Sequence, residues 1–287
     1  YLEPIQDFKN RKDLPKELYN LDILDGSPPC SSFSVAGRRD KDWGKNKKFR
    51  EGQAEQVLDT LFFDFIDLAK ELQPKVVVAE NVKGLLMGKA KEYVKEIYKQ
   101  FDDAGYYCQH WLLNASKMGV PQRRERVFFV CLRKDLAQPF LYQKDMFTQV
   151  PKLELNFNEK AILFKDIIDM QGRNLSKNMT KVWEYRKKGD SAMQQASERL
   201  TGKSTYFSQS YLYQNKTPGT ITSHEDCQVL FDLPKYTSKD EVCKIGSYPL
   251  DYDFLGMKPH YLVGMSVPPL MMAKISEQIY KQWLSKI

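Results

Sequence analysis

Cys30 has the type and setting of a nucleophile, and two further stretches, Glu80-Asn-Val82 and the run Gln122 to Arg126 with Arg124 and Arg126, carry the polar groups that a reacting thiol needs around it. Cys30 lies in Gly26-Ser-Pro-Pro-Cys-Ser-Ser-Phe-Ser34, directly after the apolar run Leu21–Leu24. Pro28 and Pro29 fix their own φ angles and restrict the residues before them, so the loop holds the sulfur in place. A thiol titrates at about 8.5 unless a positive neighbourhood keeps it as thiolate, and the run Gln122-Arg-Arg-Glu-Arg126 offers such a field. A structural reading stands beside each. Free cysteines are among the most buried residues, Glu80 suits an exposed loop carboxylate or a salt bridge, and either arginine suits an ion pair with Glu125 or Glu80.

These residues have to be delivered by secondary structure. Leu21–Leu24 is a short strand, and apolar residues at Val57, Leu58, Leu61, Phe62, Phe65 and Leu68 recur at three and four, predicting a helix over Ala54–Leu72. Gln73-Pro74 ends it, and Lys75–Ala79 reads as a buried parallel strand that leaves Glu80 at its carboxyl end. A second helix, Ala90–Phe101, closes at Gly105; strands follow at Tyr106–Leu113 and Val127–Leu132, joined through the loop Asn114–Pro121. The alternation predicts an α/β class, doubly wound sheet whose return strand is an antiparallel edge. Open sheets of this class keep their ligands at the carboxyl ends of the strands.

Residues 35–53 carry seven Lys/Arg and no apolar period, which suits either a lid over phosphates or a solvated charge run. From Lys152 to Leu255 short apolar pieces alternate with Asn, Ser, Gly and Lys, with Tyr206, Phe207, Tyr211 and Tyr213 interleaved, predicting a smaller irregular domain. Pro268–Ile287, with Leu270, Met271, Lys274, Ile275, Ile279 and Trp283, predicts a terminal helix.

At 287 residues, 42% apolar and 28% charged, the chain has the bulk for one large or two small domains, and its formal charge of +7 permits a nucleic-acid partner. The five cysteines form no C-x-x-C pair and the three histidines are scattered, so neither a metal site nor a disulfide framework is expected, and a reducing cytoplasm follows. No apolar stretch approaches the ~20 residues of a membrane span. The chain opens on Tyr1-Leu-Glu-Pro rather than methionine, from which an absent upstream segment is expected.

Pro29 to Ser34, Glu80-Asn-Val82, Gln122 to Arg126 and Gly264-Met-Ser-Val-Pro-Pro269, in this order, resemble the Pro-Cys-x-x-Phe-Ser, Glu-Asn-Val, Gln-Arg-x-Arg and Gly-Asn-x-Val-Pro motifs of the DNA cytosine-5 methyltransferases of bacterial or phage restriction-modification type. The resemblance implies a Rossmann-like methyltransferase sheet over 1–151, a target recognition domain over 152–255 and a return to the catalytic domain over 256–287. It implies S-adenosylmethionine as co-substrate, held by Asp7, Phe8, Pro29, Leu61 and Ser266, with no metal. It implies double-stranded DNA as partner, a monomer, and a restriction endonuclease that acts separately. Cys30 would add to carbon 6 of cytosine, Glu80 would meet N3 and the amino group, Arg126 the carbonyl O2, and Arg124 would orient the pair.

Pro218-Gly-Thr-Ile-Thr222 and Lys235–Glu241 resemble the element that braces the recognition domain, with Lys235 where the family has Arg. Met265 stands where the family has Asn, and residues 1–20 contain no glycine, so the family's Phe-x-Gly-x-Gly segment has no counterpart. Without that segment, S-adenosylmethionine is expected to bind poorly and the terminal helix to expose part of its apolar face. An inactive DNA-binding relative, a tRNA cytosine-5 methyltransferase and an unrelated thiol enzyme are the other readings.

Overall fold

The computed structural model describes residues 1–29, 60–88, 90–145, 148–204, 207 and 209–287, and the backbone alone of 46–47 and 56–57. Cys30, most of the expected lid, Leu58 and Tyr206 lie outside the described residues. The chain packs as two units. The first comprises Tyr1–Leu113, Glu125–Leu155 and Gln278–Ile287, the second Asn114–Arg124 and Asn156–Glu277.

In the first unit, the one-turn helix α1 (Ile5–Phe8) precedes β1 (Ile23–Gly26), and β2 (Asn46–Lys47) pairs antiparallel with β3 (Gln56–Val57). Then come α2 (Leu61–Leu72), β4 (Val76–Val82), α3 (Ala90–Asp103), β5 (Tyr106–Asn114) and β6 (Glu125–Arg133), and the hairpin β7 (Leu141–Gln143) and β8 (Gln149–Pro151). The first helix of the expected pair is thus shorter than its period suggested: Val57 is in a strand, and α2 begins at Leu61. Its stop is as expected. Gln73 takes the left-handed conformation (φ 49°), donates its N–H to Ala69 and is followed by Pro74.

The main sheet has the order β1-β4-β6-β5, with β1 parallel and β6 antiparallel to β4. The antiparallel strand is therefore interior, not the expected edge. The reason is burial on both faces: Val127 to Leu132 are all inaccessible, and an unbroken apolar run is stable only between two neighbours with both faces covered. Phe62, Phe65, Ile66 and Ala69 of α2 and Tyr93, Ile97 and Phe101 of α3 close over Val77, Ala79, Val127 and Phe129. At about 1.5–3 kcal/mol for each fully buried large side chain, this cluster is the main stabilising term of the unit.

The second unit contains α4 (Lys177–Glu184), α5 (Met193–Thr201), the parallel pair β9 (Ser210–Leu212) and β10 (Gln228–Leu230), α6 (Lys239–Ile245) and α7 (Pro259–Met265). Helix α8 (Pro269–Gln282) begins in this unit and ends in the first. The units do not share the bounds read from the sequence. Residues 114–124 and 256–277 pack in the second unit, because Gln122 and Arg124 are bonded to backbone there, and only 278–287 return to the first. Met271, Ile275, Ile279 and Trp283 of the terminal segment are inaccessible and Leu270 is half-buried, so the apolar face expected to be partly exposed is mostly covered. Among the described residues, no helix is long and apolar enough to cross a membrane, and no group of three or more His, Cys, Asp or Glu could hold a metal.

Candidate active site

Parallel pairing of β1 with β4 sets Gly26 opposite Ala79, so the loop that leaves β1 starts beside Glu80. Strand β4 runs on to Val82, and Glu80 is thus within the strand and not just beyond it. Glu80 faces Phe128 across the ladder and Val82 faces Arg126. Arg126 is therefore the diagonal neighbour of Glu80 on the same face of the sheet, a spacing that long side chains bridge. Nε of Arg126 donates to Oε1 of Glu80 at 2.8 Å, with side chains 16% and 13% exposed. Nη1 of Arg126 donates to the carbonyl of Glu125 at 2.8 Å. Burial pushes the Arg126 guanidinium below its ordinary value, and Glu80 opposes that shift.

Asn81 points to the other face. Its Nδ2 donates to the carbonyl of buried Pro28 at 3.2 Å, while its Oδ1 accepts from the Val82 N–H at 2.8 Å. The amide of the Glu-Asn-Val stretch thus holds Pro28, two residues before Cys30 in the chain. Nothing in the sequence reading assigned Asn81 this job, although an amide next to a candidate acid was the available signal. Gly26 supplies the second constraint: a Cβ there would lie 2.6 Å from the ring of Phe65, a buried residue of α2.

The residues implied for S-adenosylmethionine are distributed over both units. Asp7 is exposed on α1, not at the end of a described strand, and Phe8 beside it is half-buried. Lys9 ties α1 to α2 through Asp64 at 2.7 Å and Asp67 at 2.6 Å, while buried Leu61 opens α2. Asp7 offers a carboxylate acceptor of the kind that an exocyclic amine needs, and Pro29 is half-buried three residues past the end of β1. Ser266 is in the second unit. Its hydroxyl accepts from Tyr248 at 2.7 Å and donates to the Val263 carbonyl at 3.2 Å, so it retains only acceptor capacity.

Arg124 is not part of the Glu80 pair. It is 1% exposed, and its guanidinium donates to the carbonyls of Ile221 (3.1 Å), Gly264 (2.9 Å) and Ser266 (2.8 Å). Gln122 works alongside, donating to the Ile245 carbonyl at 3.1 Å and accepting the Ile221 N–H at 3.2 Å. Gly264 is required because a Cβ would collide with the Thr222 backbone. Met265 is 53% exposed, and the turn is held without its side chain by Arg124 and Tyr248. Lys235 does brace its surroundings, donating to the Gly172 carbonyl at 3.2 Å. Glu241 was missed as an individual residue. Fully buried, it accepts the N–H groups of Asp169 (2.9 Å), Met170 (3.1 Å) and Ser238 (2.9 Å).

A family model described as C-5 cytosine-specific DNA methylase matches residues 3–281. The chain is 43% identical over 126 residues to the Type II methyltransferase M.FnuDI of Fusobacterium nucleatum, covering 44% of this chain and 33% of that protein. It is 28% identical over 273 residues to the Type II methyltransferase M1.HphI of Haemophilus parahaemolyticus, covering 91% and 68%. Across the first four curated relatives it spans only 25% to 40% of their length. A crystal structure of a Spodoptera frugiperda DNMT2 mutant shares the fold, with a TM-score of 0.57 at 16% identity over 97% of this chain and 83% of that one.

Proposed function

Since the chain belongs to the C-5 cytosine-specific DNA methylase family, we propose that it transfers a methyl group from S-adenosylmethionine to carbon 5 of a cytosine in double-stranded DNA. The observation that carries this reading is the Glu80–Arg126 pair beside the Pro28 loop that Asn81 holds. Cytosine carbon 5 becomes nucleophilic only after addition at carbon 6, and Cys30, as thiolate, forms that bond. The electron pair displaced from the ring accumulates toward N3 and O2. Arg126 holds the charge at O2 and Glu80 shares a proton at N3.

The resting pair has a consequence for this step. Nε of Arg126 holds the Glu80 carboxyl at 2.8 Å, so the group that meets O2 and the group that meets N3 are positioned together before the base arrives. S-adenosylmethionine, which Asp7, Phe8, Pro29 and Leu61 of the first unit would hold, would supply the methyl group. Loss of the carbon 5 proton and expulsion of Cys30 restore both enzyme and aromatic ring. Because carbon 6 is stacked inside a duplex, the base must leave the helix, which costs a few kcal/mol that protein–DNA contacts offset.

DNA containing 5-fluorocytosine tests the reading, since fluorine blocks loss of the carbon 5 substituent. The protein should form a denaturation-resistant complex that Cys30→Ala abolishes. A complex that survives this substitution rejects Cys30 as nucleophile; no complex and no methyl transfer by the parent protein would favour an inactive relative.

A further inference from the structure

We propose that the outward face of α4 and the basic segment after it form the surface that grips the DNA phosphate backbone; this rests on the proposed DNA substrate. Residues 173–203 contain eight Lys/Arg and three Asp/Glu, a net +5 in a chain whose formal total is +7. Two of the three acids are already engaged. Asp190 is ion-paired with Arg199 and accepts the Lys187 N–H at 2.7 Å, and Glu198 accepts from Gln194 at 2.9 Å and Ser204 at 3.3 Å.

The geometry of α4 sorts the charge. Met179, Val182 and Trp183 pack against the core of Leu175, Met193, Tyr211, Val229 and Tyr236, while Lys177 and Lys181, four residues apart, share the exposed side. Lys187 and Lys188 continue past the helix end and are also exposed. The platform beneath is fixed: Arg186 lies 3.1 Å over the Trp183 ring and donates to the Phe231 and Trp183 carbonyls. None of the four lysines has an ion pair among the described residues, whereas Lys83, Lys95, Lys99 and Lys134 elsewhere each have one.

A helix dipole favours cations in its last turn, and that alone accounts for a basic carboxyl end. It does not account for Lys177. This residue is the first of α4, directly after the N-cap Ser176, where the dipole disfavours a cation and an acidic residue is the stabilising choice. Lys177 and Lys181 also repel each other across one turn, at a cost of a few tenths of a kcal/mol. A polyanion lying along this face removes both penalties.

The test is binding of the full chain to a short DNA duplex between about 50 and 200 mM salt, compared with Lys177→Ala/Lys181→Ala/Lys187→Ala/Lys188→Ala. Loss of four phosphate contacts should flatten the slope of log affinity against log salt by about 3 to 4, equally on duplexes of any sequence. The matching Lys→Arg quartet should keep the parental slope. Alanine at Lys12, Lys16, Lys91 and Lys144 should leave it unchanged. If the alanine quartet does not fold, Lys177→Ala and Lys188→Ala singly should each lower the slope by about 0.9. An unaltered slope in a parent that binds DNA overturns the surface, as does an equal loss in the control set. Tighter binding of an RNA duplex through the same lysines overturns the choice of DNA. A parent that binds no duplex refutes the DNA substrate itself.

Discussion

Glu80 and Arg126 meet because of a two-residue offset across an antiparallel ladder, and the consequences of breaking the pair differ by side. Arg126→Ala leaves a nearly buried carboxylate without its cation and should cost roughly 3 kcal/mol in denaturant unfolding. Glu80→Gln removes the charge but retains an acceptor, so it should fold while methyl transfer falls on the order of a hundredfold or more. Equal loss of stability in both variants would mean that the pair is structural. His260 offers a pH test. Burial lowers its pKa, Arg173 reinforces the shift and Asp226 and Glu225 oppose it, while its Nε2 shares a hydrogen bond with Thr237 at 3.0 Å. The unfolded imidazole takes up a proton near 6.5 and the folded one only at lower pH, so the unfolded state binds more protons in that window. Stability should therefore fall as pH drops below about 6.5, reaching its full loss below the folded pKa. Subtracting the melting profile of His260→Gln isolates this contribution from that of His110, whose pKa is also lowered by burial.

At the scale of elements, the residues that lead out of β1 are anchored at Pro28 by Asn81 and at Gly26 by the approach of α2. Gly26→Ala forces the buried Phe65 ring or β1 to move, and should cost about 1–3 kcal/mol in thermal unfolding. Arg124 joins the segments of Ile221, Gly264 and Ser266, so Arg124→Leu strands three carbonyl oxygens that a cation had satisfied. A loss of about 3 kcal/mol or more is expected, and Arg124→Lys should recover little, because an ammonium cannot reproduce the planar fork. Full recovery with Lys would show that charge alone matters at this position. The interior place of β6 was available in its unbroken run Val127–Leu132. The hairpin-like return nevertheless suggested an edge, since strand order depends on which neighbour covers each face and not on the order of segments.

At the scale of the whole molecule, the chain leaves its first unit at Asn114, re-enters it at Glu125, leaves after Leu155 and returns at Gln278. The last return is secured by Trp283, inaccessible and donating to the Lys152 carbonyl at 2.8 Å, and by Gln282, which exchanges hydrogen bonds with the Glu154 backbone. Trp283→Ala should cost about 3–5 kcal/mol, with hydrogen exchange accelerating in Leu141–Leu155; acceleration confined to the second unit would refute that placement. The sequence by itself determined the α/β class, the strands β1, β4, β5 and β6, the helix α3 and the end of α2, and which residue types stand near the ends of β1 and β4, because apolar periodicity and Gly/Pro punctuation are local. It also determined the family, through motifs whose residues recur in order. Only the tertiary structure decided that Arg126 pairs with Glu80 while Arg124 clamps backbone of the second unit. Two arginines two residues apart carry the same charge and side chain; what separates them is the ladder register and the carbonyls that converge on one of them, and both are set by contacts between segments far apart in the chain.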